Sequence, residues 1–423
     1  MDLLKNFFKG DKAIWIIFLF LCLISVIEVF SASSSLSFKS GDHWAPITNH
    51  LTMLLVGACV VWIVHNIPCR WFKTFIVLLP ISWILLVVVL IMGIAAGGAK
   101  RWIDLGFVQF QPSEVGKMAT IITVAFILSK MYSEEGTDKR AFKFILGVTG
   151  ATCLLIFSEN LSTAVLLAVA VYLMMIIGRI PFKQMAKLTA TGVVAVSLIV
   201  GAIWFIPANV WKEIKIKRAV TWKERIADFS NKEKVPAAQF DMENNAQVAH
   251  ANIAIATSNV FGKGPGNSVQ RDFLSLAFSD FIYAIIIEEM GLVGGAFVAL
   301  LYILLLMRIG RIANKCDKPY YIFLIMGIGF LLVTQALFNM LVAVGIMPVT
   351  GQPLPLISKG GTSTLINCVY IGIILSVSRY VKEQEALKAQ EALAAQEESP
   401  GKTQEEAALP ESPNAPDANA PAL

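Results

Sequence analysis

Apolar residues recur along this chain in unbroken runs, not at helical or alternate spacing, as in Ala13 to Phe30 and Thr74 to Ala96. Each run is close to the roughly 20 residues a helix needs to cross the hydrocarbon of a bilayer. The same reading places ten spans, at 13–36, 47–66, 74–96, 112–131, 141–157, 161–178, 188–206, 279–308, 320–347 and 358–380. The fifth and sixth nearly touch around Ser158-Glu159-Asn160, which predicts a tight hairpin instead of one very long helix. The first run is long, lacks a small-residue cleavage site at the right distance and is followed by more spans, so it is expected to stay in the mature protein.

The polar positions between the runs orient them. Lys5, Lys9 and Lys12, Arg70 and Lys73, Lys139, Arg140 and Lys143, Arg179, Lys183 and Lys187, and Arg308, Arg311, Lys315 and Lys318 fall on alternate connections. Basic residues collect on the cytoplasmic side, so both termini are expected inside. The expected fold is therefore an all-α polytopic membrane protein of about ten transmembrane helices, with a large extracytoplasmic loop, 207–278, between helices seven and eight. A cytoplasmic N-terminus (1–12) precedes the transmembrane domain (13–380), and an Ala/Glu/Gln/Pro-rich cytoplasmic tail (381–423) follows it. That tail has a helical bias from Lys382 to Gln396, but its composition predicts predominant disorder.

Composition agrees, because 56% hydrophobic and 15% charged residues exclude an ordinary soluble enzyme. The net charge of +5 reports topology and not nucleic-acid binding. Cys22, Cys59, Cys69, Cys153, Cys316 and Cys368 lie in spans or on the cytoplasmic side, so no disulfide framework is implied. Four scattered histidines and no CxxC leave the metal question without a sequence signature.

Four motifs at the outer ends of spans carry candidate chemistry. The first runs from Gly98-Ala99-Lys100-Arg101-Trp102-Ile103-Asp104 to Gln111-Pro112-Ser113-Glu114-Val115-Gly116-Lys117. Arg101 beside Trp102 suits either a headgroup anchor or paired hydrogen bonds to a phosphate. Glu114 and Lys117, three apart, share a helix face and can neutralise each other. The second is Gly262-Lys263-Gly264-Pro265-Gly266-Asn267-Ser268-Val269-Gln270-Arg271, a turn whose glycines would let backbone N–H groups approach an anion, with Lys263, Gly264, Asn267 and Arg271 as candidate ligands.

The third motif, Ser279-Asp280-Phe281-Ile282-Tyr283 through Glu288-Glu289-Met290-Gly291, sets Asp280 where span eight begins, as helix N-cap or as a partly desolvated base. Glu288 and Glu289 lie about 12 Å further along at 1.5 Å per residue, so no glycosidase-like pair with Asp280 forms. The fourth, Met347-Pro348-Val349-Thr350-Gly351-Gln352 through Ser358-Lys359-Gly360-Gly361-Thr362-Ser363, is broken by Pro and Gly and reads as a cavity-lining loop or a plain helix break. A basic, aromatic stretch from Trp211 to Arg225 suits either an interface anchor or an anionic lipid substrate.

In this order the four motifs resemble the SEDS family of bacterial cell-wall glycan polymerases, across nearly all of Ala13 to Tyr380. The resemblance implies a glycosyltransferase of the bacterial inner membrane that polymerises lipid II into glycan strands, with inversion and a lipid-diphosphate donor. Asp280 matches the family's essential aspartate. Arg101, Trp102, Glu114, Lys117, Lys263, Gly264, Asn267, Arg271, Asp272, Ser358, Lys359, Thr362 and Ser363 become expected substrate contacts. A class B penicillin-binding transpeptidase and other division proteins are the implied partners, with membrane lipid around the bundle and no nucleic acid. A divalent cation, Mg or Mn, is an open cofactor.

Overall similarity and the long tail favour a septal, division role over elongation. A lipid II flippase and an inactive division scaffold are the readings of another class. Three departures stand out: Ser275-Leu276-Ala277-Phe278-Ser279 replaces a segment with an acid and often a His, Lys359 replaces a Tyr, and Glu159-Asn160-Leu161-Ser162-Thr163 replaces an Asp-containing one. Asp272 is the remaining candidate for an auxiliary acid.

Overall fold

The computed structural model describes residues 9–32, 45–96, 99–104, 109–133, 136–157, 160–205, 246–274 and 278–405. The basic, aromatic stretch from Trp211 to Arg225, together with Glu159 and Ser275 to Ala277, lies outside them. The helices are α1 (Lys12–Ala32), α2 (Ala45–Asn66), α3 (Leu78–Met92, entered through a 3-10 segment Cys69–Val77), α4 (Pro112–Met131), α5 (Lys139–Phe157), α6 (Leu161–Ile177) and α7 (Phe182–Phe205). After the short α8 (Ala246–Ala256) come α9 (Ile282–Asn314), α10 (Pro319–Ala343) and α11 (Gly361–Glu405).

Each expected span overlaps one of these helices, and among the described residues seven helices are long and apolar enough to cross a membrane. The chain is thus a multi-pass membrane protein. Helices α4, α10 and α11 are among the inner ones, with most of α4, of α10 and of the apolar part of α11 buried, whereas α2 and the Cys69–Met92 segment are largely exposed on the outside of the bundle. On α7, Val193, Val194, Val196 and Leu198 all face outward, which suits hydrocarbon as the solvent.

Local signals account for the element ends. Asp11 caps α1, its Oδ1 accepting from the N–H groups of Ala13 (2.9 Å) and Ile14 (3.3 Å). Pro112 and Pro319 occupy first-turn positions of α4 and α10, where a missing N–H costs nothing. The expected hairpin between α5 and α6 forms, and Asn160 caps α6 by accepting from the Thr163 N–H at 3.3 Å.

One feature departs from the sequence reading. An antiparallel three-stranded sheet, β1 (Ile94–Ala96), β2 (Ala99–Asp104) and β3 (Gln109–Phe110), joins α3 to α4, and a two-stranded one, β4 (Tyr132–Ser133) with β5 (Gly136–Thr137), follows α4. These short connections satisfy backbone groups by pairing with each other. In the tail, where the sequence has a helical bias from Lys382, α11 continues from the bundle to Glu405. Its Ala, Glu, Gln and Lys residues are strong helix formers, and Lys315–Glu385 (2.9 Å) and Lys388–Asp317 (2.7 Å) tie it to the α9–α10 connection.

Candidate functional site

Helix α9 is broken near its start, because Gly291 has φ 74° and ψ −176°. The break leaves the Glu288 and Glu289 carbonyls free of helical partners, and the glycine-rich loop takes them: Lys263 N donates to Glu288 O (3.0 Å) and Gly264 N to Glu289 O (2.8 Å). The loop then wraps both carboxylates, which are fully buried. Gly266 N (2.8 Å) and Ser268 N (3.2 Å) donate to Glu289, while Val269 N (3.2 Å), Gln270 N (3.3 Å) and the Ser268 hydroxyl donate to Glu288.

Lys263 reaches Glu288 at 2.5 Å, and Arg271 lies 3.9 Å from Glu289 while donating to Ser31 Oγ (2.8 Å) and the Gly266 carbonyl (2.7 Å). The loop is an anion cradle, as its glycines suggest, but the anions in it are the protein's own. This corrects the expectation that Lys263, Gly264 and Arg271 present their donors to a ligand. Asn267 donates to the Lys263 carbonyl (3.0 Å), and Asp272, half-exposed, lies 3.8 Å from Arg271.

Asp280 does not cap α9. The N-cap position is Phe281, with no side-chain hydrogen bond, and Asp280 sits in the preceding turn. Its Oδ1 accepts from the Ser279 hydroxyl at 3.1 Å, and its backbone carbonyl accepts from Asn339 Nδ2 at 2.8 Å. The 345–360 loop pins the same turn from the other side, with Ser358 Oγ donating to the Ser279 carbonyl (2.6 Å) and Lys359 N to the Phe278 carbonyl (2.9 Å). The Lys359 ammonium lies 5.4 Å from the centre of the Phe278 ring, so two of the departures noted above contact each other.

Arg101 comes to this turn from β2. Both Asp280 Oδ2 (3.6 Å) and Arg101 Nη1 (3.8 Å) approach the point where a Cβ on Gly351 would lie. Gly351 has φ +67°, the left-handed region that glycine enters without a Cβ clash. Arg101 also shares a small cleft with Gln111, Ser113 and Asn160, walled by Leu86, Val89 and Ile156. Trp102 lies next along β2, half-buried and in register with Ile94.

Beneath this floor runs a polar network through the bundle. Lys117 Nζ lies 2.8 Å from Glu114 and 3.2 Å from Gln335 Oε1, and both charged side chains are buried. Gln335 Nε2 donates to the Pro353 carbonyl (3.0 Å), Asn339 Nδ2 also donates to the Gln352 carbonyl (2.8 Å), and Gln352 Nε2 donates to Thr163 Oγ1 (2.9 Å). Thr362 Oγ1 accepts from Gln111 N at 3.3 Å, joining the start of α11 to that of α4, and Ser363 Oγ donates to the Gly360 carbonyl (2.6 Å).

The structure therefore brings Asp280, Arg101, Ser358 and Lys359 together above Glu114 and Lys117. The Lys263 to Asp272 loop is a separate unit closed on Glu288 and Glu289. The sequence reading missed Gln335 and Asn339; the signal was an amide pair four residues apart in the apolar run that became α10. It also missed Glu28, which is buried on α1 with neither carboxyl oxygen hydrogen-bonded to a described residue. Among the described residues no three His, Cys, Asp or Glu side chains are placed together to hold a metal ion.

Fold and site together define a polytopic membrane protein with a loop-covered polar centre at one end of its bundle. The model of a family described as "Cell cycle protein", which groups FtsW, RodA and SpoVE, matches residues 11–383, and the chain belongs to that family. Among curated relatives, the "Probable peptidoglycan glycosyltransferase FtsW" of Coxiella burnetii is 32% identical over 86% of this chain and 95% of its own length. The "Stage V sporulation protein E" of Bacillus subtilis is 30% identical over 88% and 97%. Among solved structures, a chain of a peptidoglycan synthase complex superposes with a TM-score of 0.67 at 23% identity, covering 88% of this chain and 98% of that one. Thermus thermophilus RodA gives 0.62 at 21%, with coverages of 88% and 98%. At these identities the two structures establish the fold.

Proposed function

We propose that this chain is a peptidoglycan glycosyltransferase of the FtsW type, polymerising lipid II outside the bacterial inner membrane at the septum, with all ten helices crossing the bilayer. The observation that carries the site assignment is the approach of the Asp280 carboxylate and the Arg101 guanidinium to the same point over Gly351. The acceptor sugar's 4-hydroxyl oxygen attacks the donor's anomeric carbon with inversion, the bond from that carbon to the lipid diphosphate breaks, and Asp280 takes the hydroxyl proton. The diphosphate leaves as a stable anion and needs no general acid, which suits a site with, among the described residues, one carboxylate at its mouth. Arg101 offsets the leaving charge.

Glu114 and Lys117 act below the floor as a neutralised pair that holds α4 against Gln335 on α10. A class B penicillin-binding transpeptidase is the proposed partner. A relative's structure comes from a complex coordinating polymerization and crosslinking, which supports that choice. The test is glycan polymerisation from purified lipid II by the protein reconstituted with its transpeptidase, comparing native Asp280 with Asp280→Ala. Polymer lost in the variant, at unchanged folding and partner binding, supports the base assignment, and polymer that persists removes it. No polymer from either protein favours transport or scaffolding.

A further inference from the structure

At the far end of α9 from Asp280, a cleft of about 330 Å³ opens against α11 and the start of α1. Four cations line it, Arg308, Arg311, Lys315 and Lys382, with two carboxylates, Asp11 and Glu385. The carboxylates are engaged. Arg308 holds Asp11 through Nε at 2.8 Å and Nη2 at 2.7 Å, and Lys315 holds Glu385 at 2.9 Å. Lys382 donates to the Gly10 carbonyl at 2.5 Å, a contact that leaves its charge uncompensated. Arg311, one turn beyond Arg308 and exposed, has no hydrogen bond or ion pair among the described residues. Two positive charges thus face a concave space at the end of an apolar helix, where headgroups of the surrounding bilayer lie.

We propose that this cleft binds the phosphate of an anionic phospholipid headgroup in the cytoplasmic leaflet. A guanidinium fork takes two phosphate oxygens at once, and an ammonium beside it adds a point charge. Basic pockets between transmembrane helices on this side of a membrane hold such headgroups. The cleft's volume is that of a small-ligand site, enough for a phosphoglycerol group. The proposal goes beyond the polymerase reading and shares with it only the cytoplasmic placement of this end. If Arg311 instead serves only to offset the last-turn carbonyls of α9, no lipid preference follows.

The test uses the full-length protein in neutral detergent, with bound lipid counted by native mass spectrometry. Short-chain phosphatidylglycerol, phosphatidylcholine and soluble glycerol 3-phosphate are the probes. The wild type is compared with Arg311→Gln/Lys382→Gln, with Arg311→Lys, and with Lys388→Gln, whose cation pairs with Asp317 outside the cleft. The expected result is preference for phosphatidylglycerol, reduced about fivefold per cation and so on the order of twentyfold in the double variant. Arg311→Lys should fall between, because charge stays while the fork is lost, and it keeps the test open if the double variant does not fold. Lys388→Gln should match wild type. Equal binding of phosphatidylcholine, or unchanged affinity in the double variant, would overturn the proposal. Glycerol 3-phosphate binding as tightly as the lipid would overturn the lipid source and leave a soluble phosphate ester as the ligand.

Discussion

Gly262 and Gly291 meet backbone to backbone: a Cβ on Gly262 would lie 2.4 Å from Gly291 N, and one on Gly291 would lie 2.5 Å from Gly262 N. Both have positive φ, at 77° and 74°. Each break needs the other, since the loop supplies donors to carbonyls that the helix abandons. Either Gly→Ala change should therefore undock the loop, with about 3 kcal/mol or more lost from clash and left-handed strain together. Thermal unfolding in detergent and protease sensitivity at 259–272 would check this, and native-like values in both variants would refute the reciprocal fit.

The charge in that loop gives a second expectation. Glu288 is fully buried with Lys263 and three other donors on it, so Glu288→Ala should strand those donors and cost on the order of 3 kcal/mol. Lys263→Ala, at a more exposed position, should cost less. The ordering of the two melting temperatures is the measurement.

For Glu114 and Lys117, each single substitution by a neutral residue should cost about 3 kcal/mol, because a buried charge is left alone. The double change Glu114→Gln/Lys117→Met should recover much of that. A double-mutant cycle on unfolding measures the coupling, and simple additivity would deny that the two act as a pair.

Asp280→Asn should lower polymerisation by about a hundredfold or more while shifting stability little, because the side chain caps no helix. Asn339→Ala, which frees the carbonyls of Asp280 and Gln352, should lower turnover and stability together. Equal melting losses in both variants would assign Asp280 a structural role instead.

Asp11 gives a pH dependence. Burial alone would raise its carboxyl, but hydrogen bonds and charge from Arg308, with the N–H groups of Ile14 and Ala13, outweigh this and hold it below the ordinary value of 3.8. A lowered folded value means the stabilisation is complete above pH 3.8 and is lost as pH falls through the folded value. Asp11→Asn keeps a capping side chain but loses the ion pair, so it should cost about 1 kcal/mol or less at neutral pH and flatten the acid limb of the stability profile.

The sequence by itself determined the bundle. Runs of apolar residues can only be helices in lipid, alternate basic connections give their expected direction, and local rules fixed the proline at the start of α4 and the Asn160 hairpin. It also marked Asp280, Arg101 and the Glu114–Lys117 pair as candidates, through their place in motifs at the outer ends of spans and the order of those motifs along the chain. What it left open was which charges meet.

Spacing along the chain says that Lys263 and Arg271 are donors, but not that Glu288 and Glu289 return to them across a helix break. It lets Asp280 be a cap, but not that the helix starts two residues later with the carboxylate turned towards Gly351 and Arg101. Those pairings join residues far apart in sequence. They are decided by where the packed helices and loops place each group, because a buried charge or backbone carbonyl takes the partner that packing brings within reach.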